Sequence, residues 1–160
     1  MTTTIETTAA TMPISITSPA LGTIEIDPET AIRLLEPLAG CSECRSYALV
    51  PHVRGGEISR SIQWLQALQP PYQAFIVADP WSVFPDYSPE IPRGDADQLG
   101  VGSRDDAKLL VILTVPGAPS GITANLRAPI VVNTGERVAK QVVLLGDTYH
   151  TRHEVRRAAA

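Results

Sequence analysis

Apolar and polar residues alternate at the start of the patterned part of the chain. In "MPISIT" the side chains of Ile14 and Ile16 share one face of an extended segment, and in "GTIEI" Ile24 and Ile26 do the same. Because successive side chains of a strand point to opposite faces, a period of two indicates a strand with one buried face. We therefore expect two strands here, joined by a turn within Pro19–Gly22.

Further strands are predicted along most of the remaining chain, and turn residues such as Gly55, Gly56, Pro70 and Pro71 separate several of them. They are Ile32–Leu35, Ser46–Val50, Ser61–Leu68, Gln73–Asp79, Lys108–Val115, Ile122–Leu126, Pro129–Asn133 and Val138–Leu145. The segment Lys108–Val115 is the densest apolar run, which is typical of a central buried strand. This order predicts a mainly β fold, a small antiparallel β-barrel-like domain with one or two short helices.

Two short helical segments are expected between the strands. In "DPETAIRLL" Asp27 can cap a short helix that has Pro28 at its first position. In "RGDADQLGV" we expect Asp95 to act as the N-cap and Gly100 to lie near the end of the helix.

Four prolines interrupt "PWSVFPDYSPEIP", the segment from Pro80 to Pro92. Because each proline removes a backbone donor, this segment is predicted to be an ordered surface loop and not a central strand. Its aromatic side chains, Trp81, Phe84 and Tyr87, allow two interpretations. They can fold back onto the barrel, or some can stay exposed as anchors of a protein interface.

A chain of 160 residues is long enough for one ordinary domain. We expect a disordered, threonine-rich segment at 1–11, a single β domain at 12–150, and a charged, flexible tail at 151–160. No apolar run reaches the roughly 18 residues of a membrane helix, and the first eleven residues lack the features of a secretory signal. We therefore predict a soluble, cytoplasmic protein that does not bind membranes.

Acidic side chains are concentrated in one part of the chain. The net charge is −4 overall, whereas seven acids and two bases give the segment from position 79 to 106 a charge of −5. The acids are Asp79, Asp86, Glu90, Asp95, Asp97, Asp105 and Asp106, and the bases are Arg93 and Arg104. Such a segment repels phosphate backbones and suits a basic protein partner, so direct nucleic-acid binding is not expected. A solvated loop surface is the simpler alternative.

Candidate catalytic chemistry is sparse. The soft metal ligands are Cys41 and Cys44 in "CSEC" together with His52, His150 and His153, and "HTRH" has only two residues between its histidines, which is too few for the usual zinc spacing. The surrounding pattern is not that of a redox Cys-x-x-Cys motif, and we expect two reduced, partly buried thiols. A nucleophile elbow and a phosphate-binding glycine loop are both missing from the sequence. We therefore predict no enzymatic activity and no cofactor, with a metal- or thiol-dependent enzyme using the cysteines and histidines as the alternative.

Several phrases occur in a fixed order that resembles one protein family. They are "AFIVADPWSVFPDYSPEIP" (74–92), "TANLRAPIVVN" (123–133), "AKQVVL" (139–144) and "YHTRH" (149–153). Together they resemble the flagellar assembly factor FliW family, and the resemblance runs from about Ile32 to His153. Near its start the chain departs from the family, since "PLAGC" (37–41) stands where a phrase like "GIPGF" is usual. "HVRGGEISRS" (52–61) is an apparent insertion.

The resemblance implies a small β-barrel-like adaptor without a known reaction. It also implies two partners: flagellin, and the RNA-binding regulator CsrA, which is bound when flagellin has been exported and whose repression of flagellin translation is then relieved. The residues that match the family, or lie in the acidic segment beside those matches, are candidates for protein binding. They are Asp79, Phe84, Asp86, Tyr87, Glu90, Asp95, Asp97, Asn125, Pro129 and Asn133, and Pro80, Ala128 and Ile130 also match.

Some of the matching residues are expected to be structural. Pro129 can begin a strand, while Asn125 and Asn133 can hold the intervening turn through hydrogen bonds from side chain to backbone. We expect a monomer, because no long apolar edge is evident in the sequence.

Overall fold

The computed structural model describes residues 12–38, 42–54, 56–115 and 121–155. The predicted segment 1–11 and the last five residues of the predicted tail lie outside these ranges. Within them the strands are β1 (Ile14–Ser18), β2 (Gly22–Ile26), β3 (Ile32–Leu34), β4 (Ser46–Arg54), β5 (Glu57–Ala67), β6 (Ala74–Ala78), β7 (Ala107–Thr114), β8 (Thr123–Ala124), β9 (Ile130–Asn133), β10 (Val138–Gln141) and β11 (His153–Glu154).

Seven of these strands close into a barrel in the order β7-β6-β5-β4-β3-β10-β9, and β9 returns to pair with β7. All of these pairs are antiparallel except β10 with β3, which is parallel. Outside this closed set, β8 pairs antiparallel with the end of β7, and β11 pairs antiparallel with β8. The predicted mainly β, mostly antiparallel barrel is therefore confirmed.

The barrel interior is an apolar cluster to which every barrel strand contributes. Its members are Ile32, Leu34, Leu38, Cys44, Tyr47, Leu65, Ala67, Val77, Leu110, Ile130, Val132 and Ala139. Burying each large aliphatic side chain contributes about 1.5–3 kcal/mol relative to exposure. The hydroxyl of Tyr47 is buried without a hydrogen-bond partner among the described residues, and burial raises the pKa of Tyr47 to about 12.

Strand β7 is buried on both faces, which explains its dense apolar sequence. Leu110 faces the barrel interior, whereas Leu109 and Val111 belong to two clusters on the outside of the barrel. These outer clusters are covered by the segment that connects β6 to β7. The prediction of a central buried strand is confirmed.

The connecting segment contains two short helices, α1 (Pro80–Val83) and α2 (Arg93–Leu99). Asp79 caps α1 by accepting a hydrogen bond from the Trp81 backbone N–H, so the start of the predicted loop is helical. Gly100 ends α2 with a φ of 70°, as expected from its position, because glycine reaches this conformation without a steric penalty. None of the described helices has the length and apolar character needed to cross a membrane.

The predicted cap of α2 is wrong. Pro92 is the N-cap residue and makes no side-chain hydrogen bond, while Asp95 lies in the first turn. The carboxylate of Asp95 binds Lys140 instead, and an ion pair with a lysine from a distant strand outweighs the local capping preference. The cap of the earlier short helix is as expected, since Asp27 accepts a hydrogen bond from the Glu29 N–H at the start of the 3₁₀-helix Pro28–Thr30.

Other predicted boundaries also change. The strand predicted over Val138–Leu145 ends at Gln141, and the backbone that follows bonds to the turn before β9, through Val142 N–H to the Pro129 carbonyl and Leu144 N–H to the Arg127 carbonyl. The start of the predicted tail is ordered, because β11 lies within it. β4 and β5 extend further towards Gly56 than predicted and form one long hairpin.

The expectation of two reduced thiols is wrong. Cys44 is fully buried and disulfide-bonded, and Cys41, the other cysteine of the chain, lies outside the described residues. A turn at Ser42 and Glu43 precedes Cys44. The prediction rested on the sequence pattern around the cysteines, whereas the geometry in the folded chain decides whether a disulfide forms.

Candidate protein-binding surface

The segment from Asp79 to Asp106, here called the acidic segment, lies on the outside of the barrel. It comprises α1, the proline-rich loop from Phe84 to Pro92, α2 and the 3₁₀-helix Arg104–Asp106. Leu99 at the end of α2 packs with Leu109 of β7 and Val131 of β9, which anchors the segment to the sheet.

The aromatic side chains of this segment fold back onto the barrel. Tyr87 is only 4% exposed, and its hydroxyl donates a hydrogen bond of 2.7 Å to the Leu126 carbonyl. Burial, together with the neighbouring Tyr149, raises the pKa of Tyr87 well above its ordinary value, so the phenol remains a neutral donor at physiological pH. The indole N–H of Trp81 donates to the Tyr87 carbonyl at 2.8 Å. Phe84 is partly buried and lies edge-on to the ring of His153, with ring centroids 6.1 Å apart.

The acids of the segment, in contrast, face outward. Asp79, Asp86, Glu90, Asp97, Asp105 and Asp106 are all exposed. Asp95 is the exception, because it is partly buried and its Oδ1 lies 2.6 Å from Lys140 Nζ. The hydrogen bond with Asp95 raises the pKa of Lys140 and keeps it charged. None of the exposed acids of the segment forms an ion pair with another described residue.

The phrase "NLRAPIVVN" (125–133), here called the elbow, leads from β8 into β9. Asn125 accepts a hydrogen bond from the Ala128 N–H at 3.1 Å, and Pro129 is fully buried. Asn133 is 6% exposed; its Oδ1 accepts from the N–H groups of Gly135 and Glu136, and its Nδ2 donates to the Leu99 carbonyl at 2.8 Å. The predicted bond of Asn125 within the turn is confirmed, whereas Asn133 bonds to the backbone of the turn after β9 and to the end of α2 instead.

These bonds bring the two sets of predicted site residues together. Asn133 ties the elbow to the end of α2, and Tyr87 ties the proline-rich loop to Leu126 in the elbow. Through these two hydrogen bonds the elbow fixes the positions of the proline-rich loop and of the end of α2. Of the candidate residues, Asp79, Asp86, Glu90 and Asp97 present atoms to solvent, whereas Tyr87, Pro129 and Asn133 are buried.

The histidines are placed by the sheet and by ring contacts. His52 lies in β4 beside Trp64, and His153 lies in β11. The ring of His150 stacks on His153, whose Nε2 accepts a hydrogen bond of 2.8 Å from the His150 backbone N–H. Burial, and secondarily His150, lowers the pKa of His153. Within the described ranges no group of three or more histidine, cysteine, aspartate or glutamate side chains is arranged to hold a metal ion.

Sequence reasoning missed three features of this surface. The helix α1 has a recognisable signal in Asp79-Pro80, a capping residue followed by proline at the first helical position. The pair of Lys140 with Asp95 joins residues 45 positions apart, and no local pattern predicts it. A cavity between the acidic segment and the sheet, described below, likewise depends on tertiary packing.

Comparison with known proteins decides the family. The model of the FliW protein family matches residues 15–155. This chain belongs to the FliW family. A solved structure described as the crystal structure of the flagellar assembly factor FliW superposes with a TM-score of 0.78 at 30% identity, covering 92% of this chain and 100% of that chain.

Curated relatives agree over most of their length. The flagellar assembly factor FliW of Pseudothermotoga lettingae is 36% identical over 137 residues, which is 85% of each chain. The protein of the same name from Thermotoga neapolitana is 34% identical over 137 residues, 85% of this chain and 89% of its own. The resemblance noted in the sequence is confirmed, and these FliW proteins are named as assembly factors, not as enzymes.

Proposed function

We propose that this FliW-family protein acts in flagellar assembly as a non-enzymatic adaptor of the cytoplasm. It binds flagellin, and when free of flagellin it binds CsrA and relieves the repression of flagellin translation. The observation that carries the proposal is the match to FliW over residues 15–155, supported by relatives that are named flagellar assembly factors.

The acidic segment suits a basic partner such as CsrA. Asp86, Glu90 and Asp97 are exposed on a segment that is anchored to the barrel by buried side chains. A regulator that attracts RNA needs a positive surface, so opposite charges favour its docking on this segment. Once CsrA is bound, the acids of this segment would also repel the phosphates of the RNA. Binding of this protein would therefore favour release of the RNA from CsrA.

The candidate residues divide into two roles under this proposal. The exposed acids contact the partner directly, while Tyr87, Pro129 and Asn133 hold the backbone beneath them. Flagellin binding is expected to depend less on charge, because the terminal helices of flagellin are apolar on one face. Raising the salt concentration should therefore weaken CsrA binding more than flagellin binding.

A charge reversal with a matched control tests the proposal. The triple variant Asp86→Lys, Glu90→Lys and Asp97→Lys is compared with Glu25→Lys, Glu57→Lys and Asp147→Lys, which reverse three exposed acids in other parts of the molecule. Titration calorimetry against CsrA at low salt should show affinity reduced by about tenfold or more for the first variant and by less than about twofold for the second. Equal affinities, or an affinity for CsrA that does not change with salt, would contradict the assignment of this surface.

A further inference from the structure

A cavity of about 670 Å³ lies between the acidic segment and the sheet. Its walls and floor include Trp81, Ile91, Val101, Asp105, Leu109 and Val131. Leu109 and Val131 face each other across the β7–β9 pairing and form a buried apolar floor. The hydrogen bond from Trp81 to the Tyr87 carbonyl fixes the indole wall. A preformed, mainly apolar cavity of this volume is typical of a binding site.

The edge of this cavity is acidic. Asp105 is the one ionisable side chain among the described lining residues, and it is exposed. Glu90 and Asp97 are exposed and adjoin residues that line the cavity, Ile91 and Ala96. Asp106 lies beside the lining residue Ser103, with 3.4 Å between the Ser103 hydroxyl and the Asp106 carboxylate.

The nearby lysines do not neutralise this edge, and Arg93 makes no ion pair among the described residues. Lys108 lies between Ala107 and Leu109, which both line the cavity, and successive side chains of a strand point to opposite faces. Its ammonium group accordingly lies 3.5 Å from the Gln63 side chain. Lys140 is held by Asp95 and Gln98.

We propose that this cavity binds a large apolar side chain that a basic segment of a protein partner inserts into it. The floor and walls offer apolar contact to a leucine, methionine or phenylalanine, and the acidic edge attracts lysine or arginine residues that flank such an anchor. The same acids disfavour a phosphate-bearing or carboxylate ligand. The occupant is therefore a cationic amphipathic peptide segment.

This inference deepens the proposed function, on which it rests, because it gives the basic partner an anchor point. Under the proposed function that partner is CsrA. An apolar helix of flagellin would fill the cavity without using its acidic edge, and the experiment separates the two occupants through the charge of the probe.

The reporter is Trp81 itself. In a Trp64→Phe background Trp81 is the remaining tryptophan of the full-length chain. The probe is a synthetic 14-residue peptide with leucines at helical spacing among lysines. Two control peptides replace either the lysines by glutamate or the leucines by serine. We expect a saturable change in Trp81 emission with the leucine–lysine peptide, and affinities at least about tenfold lower for both controls.

A variant with a filled cavity provides a second test of the proposal. Ala96→Phe places a large side chain in the cavity, and Ala20→Phe makes the same change at an exposed residue lining a separate cavity of about 330 Å³. Ala96→Phe should lower peptide affinity at least about tenfold, whereas Ala20→Phe should not. If Ala96→Phe loses its cooperative urea transition, Ala107→Leu replaces it. Undiminished binding in a folded filled variant, or equal binding of the leucine–glutamate peptide, would overturn the inference.

The same variants separate this inference from the proposed function. If the leucine–lysine peptide binds but CsrA and flagellin do not, the proposed function fails and the cavity assignment stands. If CsrA binds Ala96→Phe as tightly as it binds the parent chain, the cavity assignment fails and the proposed function stands.

Discussion

Polar side chains have opposite orientations in the elbow and in the acidic segment. In the elbow, Asn125 and Asn133 turn inward and satisfy backbone groups, and Pro129 is buried. In the acidic segment, Asp86 and Asp97 turn outward and make no ion pair among the described residues. The comparison shows that the elbow, which has a recognisable sequence pattern, fixes the backbone conformation. The acidic segment, which has a less regular sequence, exposes the charged side chains. Substitutions in the elbow should therefore cost stability, and substitutions of the exposed acids should cost binding.

Replacing Asn133 by alanine should have the largest effect on stability. The substitution removes three hydrogen bonds and leaves the Leu99 carbonyl at the end of α2 without its partner. We expect a loss of about 3 kcal/mol in the free energy of unfolding, since each buried bond contributes about 1 kcal/mol. Urea denaturation measures it. Asn125→Ala, which removes one part-buried bond, should cost about 1 kcal/mol, and equal losses for the two variants would contradict this account.

Removing one hydroxyl tests the link between loop and elbow. Tyr87→Phe leaves the Leu126 carbonyl unsatisfied and should cost about 1–2 kcal/mol in urea denaturation. Tyr47→Phe is the matched control, because the Tyr47 hydroxyl is equally buried but has no partner among the described residues. That variant should be neutral or slightly stabilising. A larger loss for Tyr47→Phe than for Tyr87→Phe would show that the assigned hydrogen bond does not support the loop.

Acid should weaken the contact between His153 of β11 and Phe84 of the acidic segment. His153 packs against Phe84, Tyr149 and His150, and its folded-state pKa lies below the usual value of about 6.5. Below about pH 6.5 the unfolded chain therefore binds more protons at this site than the folded chain does. The contribution of His153 to the free energy of unfolding is complete above about pH 6.5. It is lost as the pH falls through the folded-state pKa of His153, at no more than about 1.4 kcal/mol per pH unit.

Thermal unfolding from pH 7.5 down to pH 5 measures this effect. The parent chain should lose more stability than His153→Gln, because glutamine keeps an acceptor for the His150 N–H but does not titrate. Identical pH profiles for the two proteins would exclude the titration of His153 as the cause.

The smallest effect on stability is expected at the exposed acids. The triple lysine variant at Asp86, Glu90 and Asp97 should unfold within about 0.5 kcal/mol of the parent chain, because these side chains are exposed and make no ion pair among the described residues. Its circular dichroism spectrum should be unchanged. A cooperative loss of structure would place these acids with the elbow residues, and the contrast between the two regions would no longer hold.

The fold class followed from local patterns. Alternation and turn residues located the strands, and the two asparagines of the elbow make the backbone bonds that their chemistry favours. The structure of the segment from Pro80 to Pro92 was only partly predictable, since Asp79-Pro80 begins a helix. Trp81, Phe84 and Tyr87 follow the first of the two interpretations that the sequence left open.

Non-local features could not be read from the sequence. Aspartate is a residue type that favours the N-cap, but Asp95 forms an ion pair with Lys140 instead. No local pattern predicts this pair, because the two residues are 45 positions apart. Strand β11 exists only because β8 lies beside it, and two residues are too few to produce a periodic signal. The cavity likewise requires the acidic segment to be placed against β7 and β9. The assignment of site residues to flagellin or CsrA stays a prediction.

The central proposal is that this protein binds either flagellin or CsrA, but not both at once. The direct measurement is titration calorimetry of CsrA into the purified protein, first alone and then in the presence of saturating flagellin from the same organism. The account predicts tight binding of CsrA to the free protein and loss of that binding when flagellin is bound. Undiminished binding of CsrA to the flagellin complex, or no binding to the free protein, would contradict it.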